Sequence, residues 1–154
     1  MEITNEQNEQ RISVYSFEDL RKRVVEIALK VAKNSEGALF VLGSSSDYEL
    51  HFPNFFKDST ITIFDEGIDK VLVKLAAIDG AVIIDDTGVI RAYGARILNT
   101  VTLKGYGTRH SAACGASLRG DFVILVSEED NLVRVFNEGN IALEVKNQWN
   151  KSLL

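Results

Sequence analysis

Three short segments, Ala38–Leu42, Ala81–Ile84 and Phe122–Val126, are apolar at every position, and Gly43, Asp85 and Ser127 close them. Runs of this length without polar alternation read as strands buried on both faces. A sheet built from them needs cover on each side, which confines the chain to a layered architecture of sheet and helices.

The spacing around these strands supplies the helices. Ser16 with Asp19 approximates a capping box ahead of Leu20, Val24, Ile27, Ala28 and Val31, and predicts an amphipathic helix ending near Asn34. Asp65 to Gly67 precede Ile68, Val71, Leu72, Leu75 and Ala76, so a second helix is expected to run to about Ile78 and deliver Asp79 into the next strand. From Thr108 to about Leu118 the residues are small and suit a helix packed closely on a sheet, although Gly115 weakens it.

Asp85-Asp86-Thr87-Gly88 turns the chain back into Val89-Ile90-Arg91-Ala92-Tyr93, a hairpin. A second turn from Ser127 to Asn131 leads into Leu132-Val133-Arg134-Val135-Phe136, and Asn137-Glu138-Gly139 ends that strand. Residues 48–62, with the sole proline Pro53, read as a loop with short structured pieces, and the C-terminal end around Trp149 has no clear period. Hairpins make an all-parallel sheet untenable. The expected fold class is α/β in the α+β sense: one domain at 16–141 with a central mixed β-sheet flanked by helices. An N-terminal extension at 1–15 and a C-terminal tail at 142–154 complete the expected organisation.

At 154 residues the chain is long enough to bury a core without staples, and 45% hydrophobic with 25% charged residues is ordinary globular usage. The net charge of -5 argues against a nucleic-acid surface, which neutralises many phosphates with Lys and Arg. Cys114 is the only cysteine, so no internal disulfide forms, and the chain reads as cytoplasmic. No apolar run approaches the roughly 20 residues of a membrane helix.

Two motifs carry the chemistry. Asp79-Gly80-Ala81 sets a carboxylate beside a glycine at the mouth of an apolar run, a place suited to a hard divalent cation with oxygen ligands. Gly107-Thr108-Arg109-His110 offers an anion site, in which Thr108 is expected to cap the helix while Arg109 and His110 add donors at its positive end. A metal-binding carboxylate facing an anion cradle is what chemistry at a nucleotide phosphate requires.

These motifs belong to a longer series: Gly37-Ala38-Leu39-Phe40, Asp79-Gly80-Ala81-Val82-Ile83, Gly107-Thr108-Arg109-His110 with Ala112-Ala113, and Val126-Ser127-Glu128-Glu129. In this order they resemble the diadenylate cyclase domain, also called the DisA N-terminal domain, over residues 17–141. The resemblance implies condensation of two ATP into cyclic di-AMP with release of two pyrophosphates, using Mg²⁺ or Mn²⁺. Each protomer of a homo-oligomer would bind one ATP, with two active sites meeting face to face. Carried over by position, Asp79, Gly80, Arg109 and His110 would be the catalytic residues. Asp79 would bind the metal and help activate the ribose 3′-hydroxyl, with Glu128 near the metal. Gly80, Ala81, Gly107, Thr108, Arg109, His110, Ser127 and Glu128 would contact ATP, and Leu98 would touch adenine.

Two positions depart from that pattern. Ser111 stands where family members commonly carry a basic residue, and Ile97-Leu98-Asn99-Thr100 replaces a segment that usually contains a Leu-Pro pair. A catalytically weak sensor that binds ATP or cyclic di-AMP is therefore the alternative expectation. Elsewhere the residues read blandly. Cys114 is expected to be an inert core thiol, Asp85 and Asp86 a solvated acidic turn, and His51 lacks metal-ligand spacing to His110 or Cys114.

Overall fold

A computed structural model describes residues 15–34 and 36–146. Helix α1, Phe17–Lys33, begins on the expected capping box: the Asp19 amide donates to the Ser16 hydroxyl at 3.1 Å and the Ser16 amide to the Asp19 carboxylate at 3.3 Å. It buries Leu20, Val24, Ile27, Ala28, Val31 and Ala32, the stripe that its periodicity marks out. Helix α2, Ile68–Ala76, starts behind Gly67, whose φ of 79° is left-handed, and ends two residues short of the expected Ile78. Helix α3 covers Thr108–Leu118 as its composition suggests.

The strands are β1 Ala38–Leu42, β2 Tyr48–Leu50, β3 Ala81–Ile84, β4 Ile90–Ile97, β5 Phe122–Val126, β6 Leu132–Asn137 and β7 Asn140–Lys146. They form one seven-stranded sheet in the order β2-β4-β3-β1-β5-β6-β7. Strands β1 and β3 run parallel and every other neighbouring pair runs antiparallel, so the sheet is mixed. The all-apolar strands split their side chains between two cores. Ala38, Phe40 and Leu42 join α1 and α2 on one face; Leu39 and Val41 join Ala113, Cys114 and Ala116 of α3 on the other. Burying a side chain such as Phe40, fully enclosed here, contributes about 1.5 to 3 kcal/mol. Cys114 lies buried in the second core, as expected.

Residues 48–50 form an edge strand, one of the short structured pieces expected in that segment. Two local readings change. Strand β7 continues to Lys146, across the point where the sequence suggests that a tail begins. Trp149 lies outside the described residues. Asp85 is not a solvated turn residue: its side chain is only 14% exposed. It accepts from the Thr87 amide and hydroxyl, the Val89 amide and Arg91, and so organises the β3–β4 turn.

Candidate active site

The topology brings distant motifs to one end of the sheet. Ala38 at the start of β1 is paired with Val126 at the end of β5, and Leu39 with Ala81 at the start of β3. Gly37, Asp79 and Ser127 therefore emerge side by side. Ala81 is also opposite Ala95, so β4 carries Ile97 and Leu98 out at the same end. Helix α3 packs closely on the second core through Ala113 and Ala116, and its first residues Thr108 and Arg109 lie at this edge.

Two cavities result. One, of about 590 Å³, is lined by Asp79, Gly107, Thr108, Arg109, His110, Ser127 and Glu128, with Tyr106, Asp130 and Arg134. The other, of about 410 Å³, is lined by Leu39, Asp79, Gly80, Ala81, Ile97, Leu98, Thr108, Arg109 and Ala112. Asp79, Thr108 and Arg109 line both, so the cavities adjoin across them. Both volumes fall in the range of small-molecule sites. Asp79, Gly80, Ala81, Leu98, Gly107, Thr108, Arg109, His110, Ser127 and Glu128, the expected site residues, thus all lie at this edge. Leu98 remains 51% exposed at its rim.

Asp79 is exposed, and among the described residues no hydrogen-bond or ion-pair partner is found for its carboxylate. Gly80 has a φ of 112°, and a Cβ there would lie 2.5 Å from the Gly94 carbonyl carbon. The neighbouring β4 backbone therefore demands glycine at this position, independently of any ligand. Thr108 does not cap α3. The cap is Gly107, which makes no side-chain hydrogen bond, so among the described residues the first-turn amides of α3 have no side-chain acceptor. Such a helix start has amides free to receive an anion.

Arg109 lies against the Gly37 backbone, where a Cβ would collide with its guanidinium, and its Nη1 is 3.9 Å from Glu128. His110 stacks on Tyr106, with ring centroids 4.5 Å apart, and its Nε2 lies 3.1 Å from Nη1 of Arg134. A guanidinium has no acceptor, so Nε2 must accept and the neutral ring carries its proton on Nδ1. Burial first, and then the Arg134 charge, hold His110 below the usual histidine range, against the opposing pull of Asp130 and Glu129.

The altered loop after β4 is held by Asn99. Its side chain accepts from the Asp47 amide at 3.0 Å and donates to the Gly115 carbonyl at 3.0 Å, while the Val101 amide donates to the Ser111 carbonyl at 3.0 Å. Gly115 is needed for this contact, because a Cβ would collide with the Asn99 carbonyl. Arg134, a cavity residue, is missed by sequence reasoning, which places it only as one residue of the strand Leu-Val-Arg-Val-Phe. Its alternation with Phe136, which packs beneath α3, is the signal that could have placed it on the cavity face.

Among the described residues, no group of three or more His, Cys, Asp or Glu side chains is placed to hold a metal ion. No described helix is long and apolar enough to cross a membrane.

The chain is 31% identical over 136 residues to a diadenylate cyclase of Methanocaldococcus jannaschii, covering 80% of this chain and 44% of the relative. It is also 31% identical over 141 residues to a diadenylate cyclase of Haloferax volcanii, covering 79% and 51%. The chain thus spans about half the length of the curated relatives it matches. Among solved structures, a double mutant of DacA from Staphylococcus aureus superposes with a TM-score of 0.59 at 27% identity, covering 89% of this chain and 93% of that one. A hypothetical membrane-spanning protein from Bacillus cereus shares the fold with a TM-score of 0.60 at 19% identity, covering 80% and 63%. Residues 26–141 match the family described as DisA bacterial checkpoint controller nucleotide-binding, the diadenylate cyclase domain, and the chain belongs to that family.

Proposed function

We propose that this chain is a diadenylate cyclase that condenses two ATP into cyclic di-AMP and two pyrophosphates. The observation that carries the reading is an exposed Asp79, without a partner among the described residues, where a cavity with Leu39, Ala81, Ile97 and Leu98 in its wall meets a cavity fronted by a helix N-terminus and Arg109. Adenosine fits the side of Leu39, Ala81, Ile97 and Leu98, and the triphosphate fits the side of Gly107, Thr108, Arg109, His110 and Ser127. Asp79 then stands at the ribose and α-phosphate between them.

In the reaction each ribose 3′-oxygen forms a bond to the α-phosphorus of the other ATP and loses its proton, and each α–β phosphoanhydride bond breaks to release pyrophosphate. One chain presents one such site, so two protomers must meet face to face to close the ring. Asp79 is positioned as the proton acceptor for the 3′-hydroxyl, and Arg109 with the α3 amides stabilises charge on the leaving pyrophosphate.

The donor set fits a divalent cation such as Mg²⁺ or Mn²⁺ that arrives with the nucleotide. Asp79 and Glu128 provide hard oxygen ligands, and phosphate and water oxygens would complete the shell. Among the described residues, four carboxylates and two guanidiniums line the phosphate-side cavity, an excess of negative charge that disfavours a bare triphosphate. The bound cation would offset that charge and polarise the phosphate oxygens.

The alternative, a weak enzyme acting as an ATP or cyclic di-AMP sensor, is favoured by one feature: Ser111 adds no charge beside His110. The deciding experiment incubates the purified chain with ATP and Mg²⁺ or Mn²⁺ at increasing protein concentration, with chromatography for cyclic di-AMP. Product whose specific rate rises with protein concentration supports the face-to-face cyclase. No product with retained ATP binding supports the sensor.

A further inference from the structure

Arg134 is a cation at the phosphate-side cavity that none of the sequence motifs contains. On β6 its side chain is only 6% exposed, yet it lines the cavity with Arg109, His110 and Ser127. Nε donates to Glu144, its cross-strand neighbour on β7, at 3.2 Å, and Nη2 donates to Asp130 at 2.6 Å. Nη1 donates to His110 Nε2. A guanidinium carries five N–H donors, so these contacts leave one hydrogen on each Nη nitrogen. The Tyr106 ring lies over the guanidinium, 5.6 Å from centroid to Cζ, and Asp130 and Glu144, 43% and 46% exposed, reach it from the surface, so the charge is held in the cavity wall. Ser111, by contrast, turns its hydroxyl back to the Gly107 carbonyl at 3.3 Å and brings no charge to the cavity.

We propose that Arg134 is the second cation of the triphosphate cradle, supplied from β6 rather than from α3. The inference rests on the cyclase reading above. Its remaining Nη hydrogens meet phosphate oxygens entering beside Arg109, and its contact with His110 keeps Nε2 as acceptor, leaving Nδ1–H as the donor.

The test measures calorimetric binding of α,β-methylene-ATP, which cannot release pyrophosphate, and of adenosine, each with Mg²⁺, alongside cyclic di-AMP synthesis from ATP. Loss of a charge-assisted contact predicts that Arg134→Gln weakens the triphosphate about ten- to a hundredfold and leaves adenosine within about twofold. Glu144→Gln breaks the β6–β7 ion pair but keeps the cation, and should leave triphosphate affinity within about twofold. Adding Ser111→Arg to Arg134→Gln should recover at least about tenfold of any larger loss, because the charge returns from the helix.

If Arg134→Gln binds the triphosphate like wild type, weakens both ligands equally, or is reproduced by Glu144→Gln, the proposal is overturned. Should Arg134→Gln fail to fold, Arg134→Lys decides. Weakening of the triphosphate by at least about threefold with adenosine unchanged supports the cradle, and any other pattern overturns it. Wild type that binds the triphosphate but makes no cyclic di-AMP removes the cyclase reading while the binding series still judges Arg134. Wild type that does not bind the triphosphate overturns both.

Discussion

Gly37→Ala isolates the placement of Arg109 from the stability of the fold. Gly37 is buried just before β1, and its φ lies outside the left-handed region, so the backbone accepts alanine. A Cβ built there meets the Arg109 guanidinium, including Cζ at 3.0 Å, and no backbone atom is among its nearest neighbours. The obstacle is the far end of a flexible side chain, which can swing away. Relief of unfolded-chain entropy by a compatible Gly→Ala change, about 0.4 to 1 kcal/mol, should offset most of that rearrangement. Urea unfolding should therefore shift by less than about 1 kcal/mol. The cost should appear in binding, because a charge-assisted phosphate contact is worth about 1.5 to 3 kcal/mol. Displacement without removal argues for the lower figure, about tenfold in ATP affinity. Calorimetry with a non-cleavable ATP analogue measures it, and a double-mutant cycle sharpens it. With Arg109→Ala in place, Gly37→Ala should cost less than about 0.5 kcal/mol of further binding energy. Wild-type affinity in the single variant, or full additivity in the pair, would refute the reasoning.

Asp79→Asn, at an exposed position with no described partner, should keep the unfolding midpoint and most ATP affinity while cyclic di-AMP synthesis falls about a hundredfold or more; retained synthesis would remove Asp79 from proton transfer. Gly115→Ala drives a Cβ into the Asn99 carbonyl, with Thr100 Cα 2.9 Å away, so a loss of about 1 to 3 kcal/mol is expected in chemical denaturation. Burial alone would raise the Asp85 pKa, but hydrogen bonds from Thr87, Arg91 and Val89 outweigh it and the net shift is downward. Its stabilisation is thus present above the unfolded carboxyl value, about 3.9, and is lost as pH falls through the lower folded value. Wild type and Asp85→Ala should differ in urea stability at pH 7 and converge as acidification carries the pH below that folded value; a gap that stays constant would place the effect outside the charge.

Elements whose signals are local were legible in the sequence. The capping box at Ser16 and Asp19, the apolar stripe of α1 and the all-apolar strands each depend on neighbouring residues, and each is found where its pattern lies. Helix α3 forms despite Gly115, because the missing Cβ is what admits the Asn99 loop. Strand β7 escaped because its residues are largely exposed, so an edge strand leaves little hydrophobic alternation to read. A subtler signal was present: Glu138 and Gly139, with φ of 50° and 82°, form a two-residue hairpin turn, whose positive φ at the second position suits glycine. Asp85 was misjudged because Thr87, Val89 and Arg91 fold back on it only once the hairpin forms.

The site itself could be listed from sequence but not assembled from it. Gly37, Asp79, Leu98, Thr108 and Ser127 meet only because β1 and β3 are parallel, whereas β4 and β5 run against them. In that arrangement the starts of two strands and the ends of two others share one edge of the sheet. An antiparallel β1–β3 pair would send Asp79 to the opposite end, beside Gly43, and leave the α3 amides without a carboxylate opposite them. Arg134 obeys the same logic one strand further out. Val133 is paired with Val126, so Arg134 is one step from the edge that carries Ser127. Its alternation with Phe136 turns it toward α3 and His110. A strand slip of one residue would put Arg134 on the α1 face, out of reach of His110, so the register of the β5–β6 ladder decides which residue supplies charge beside α3.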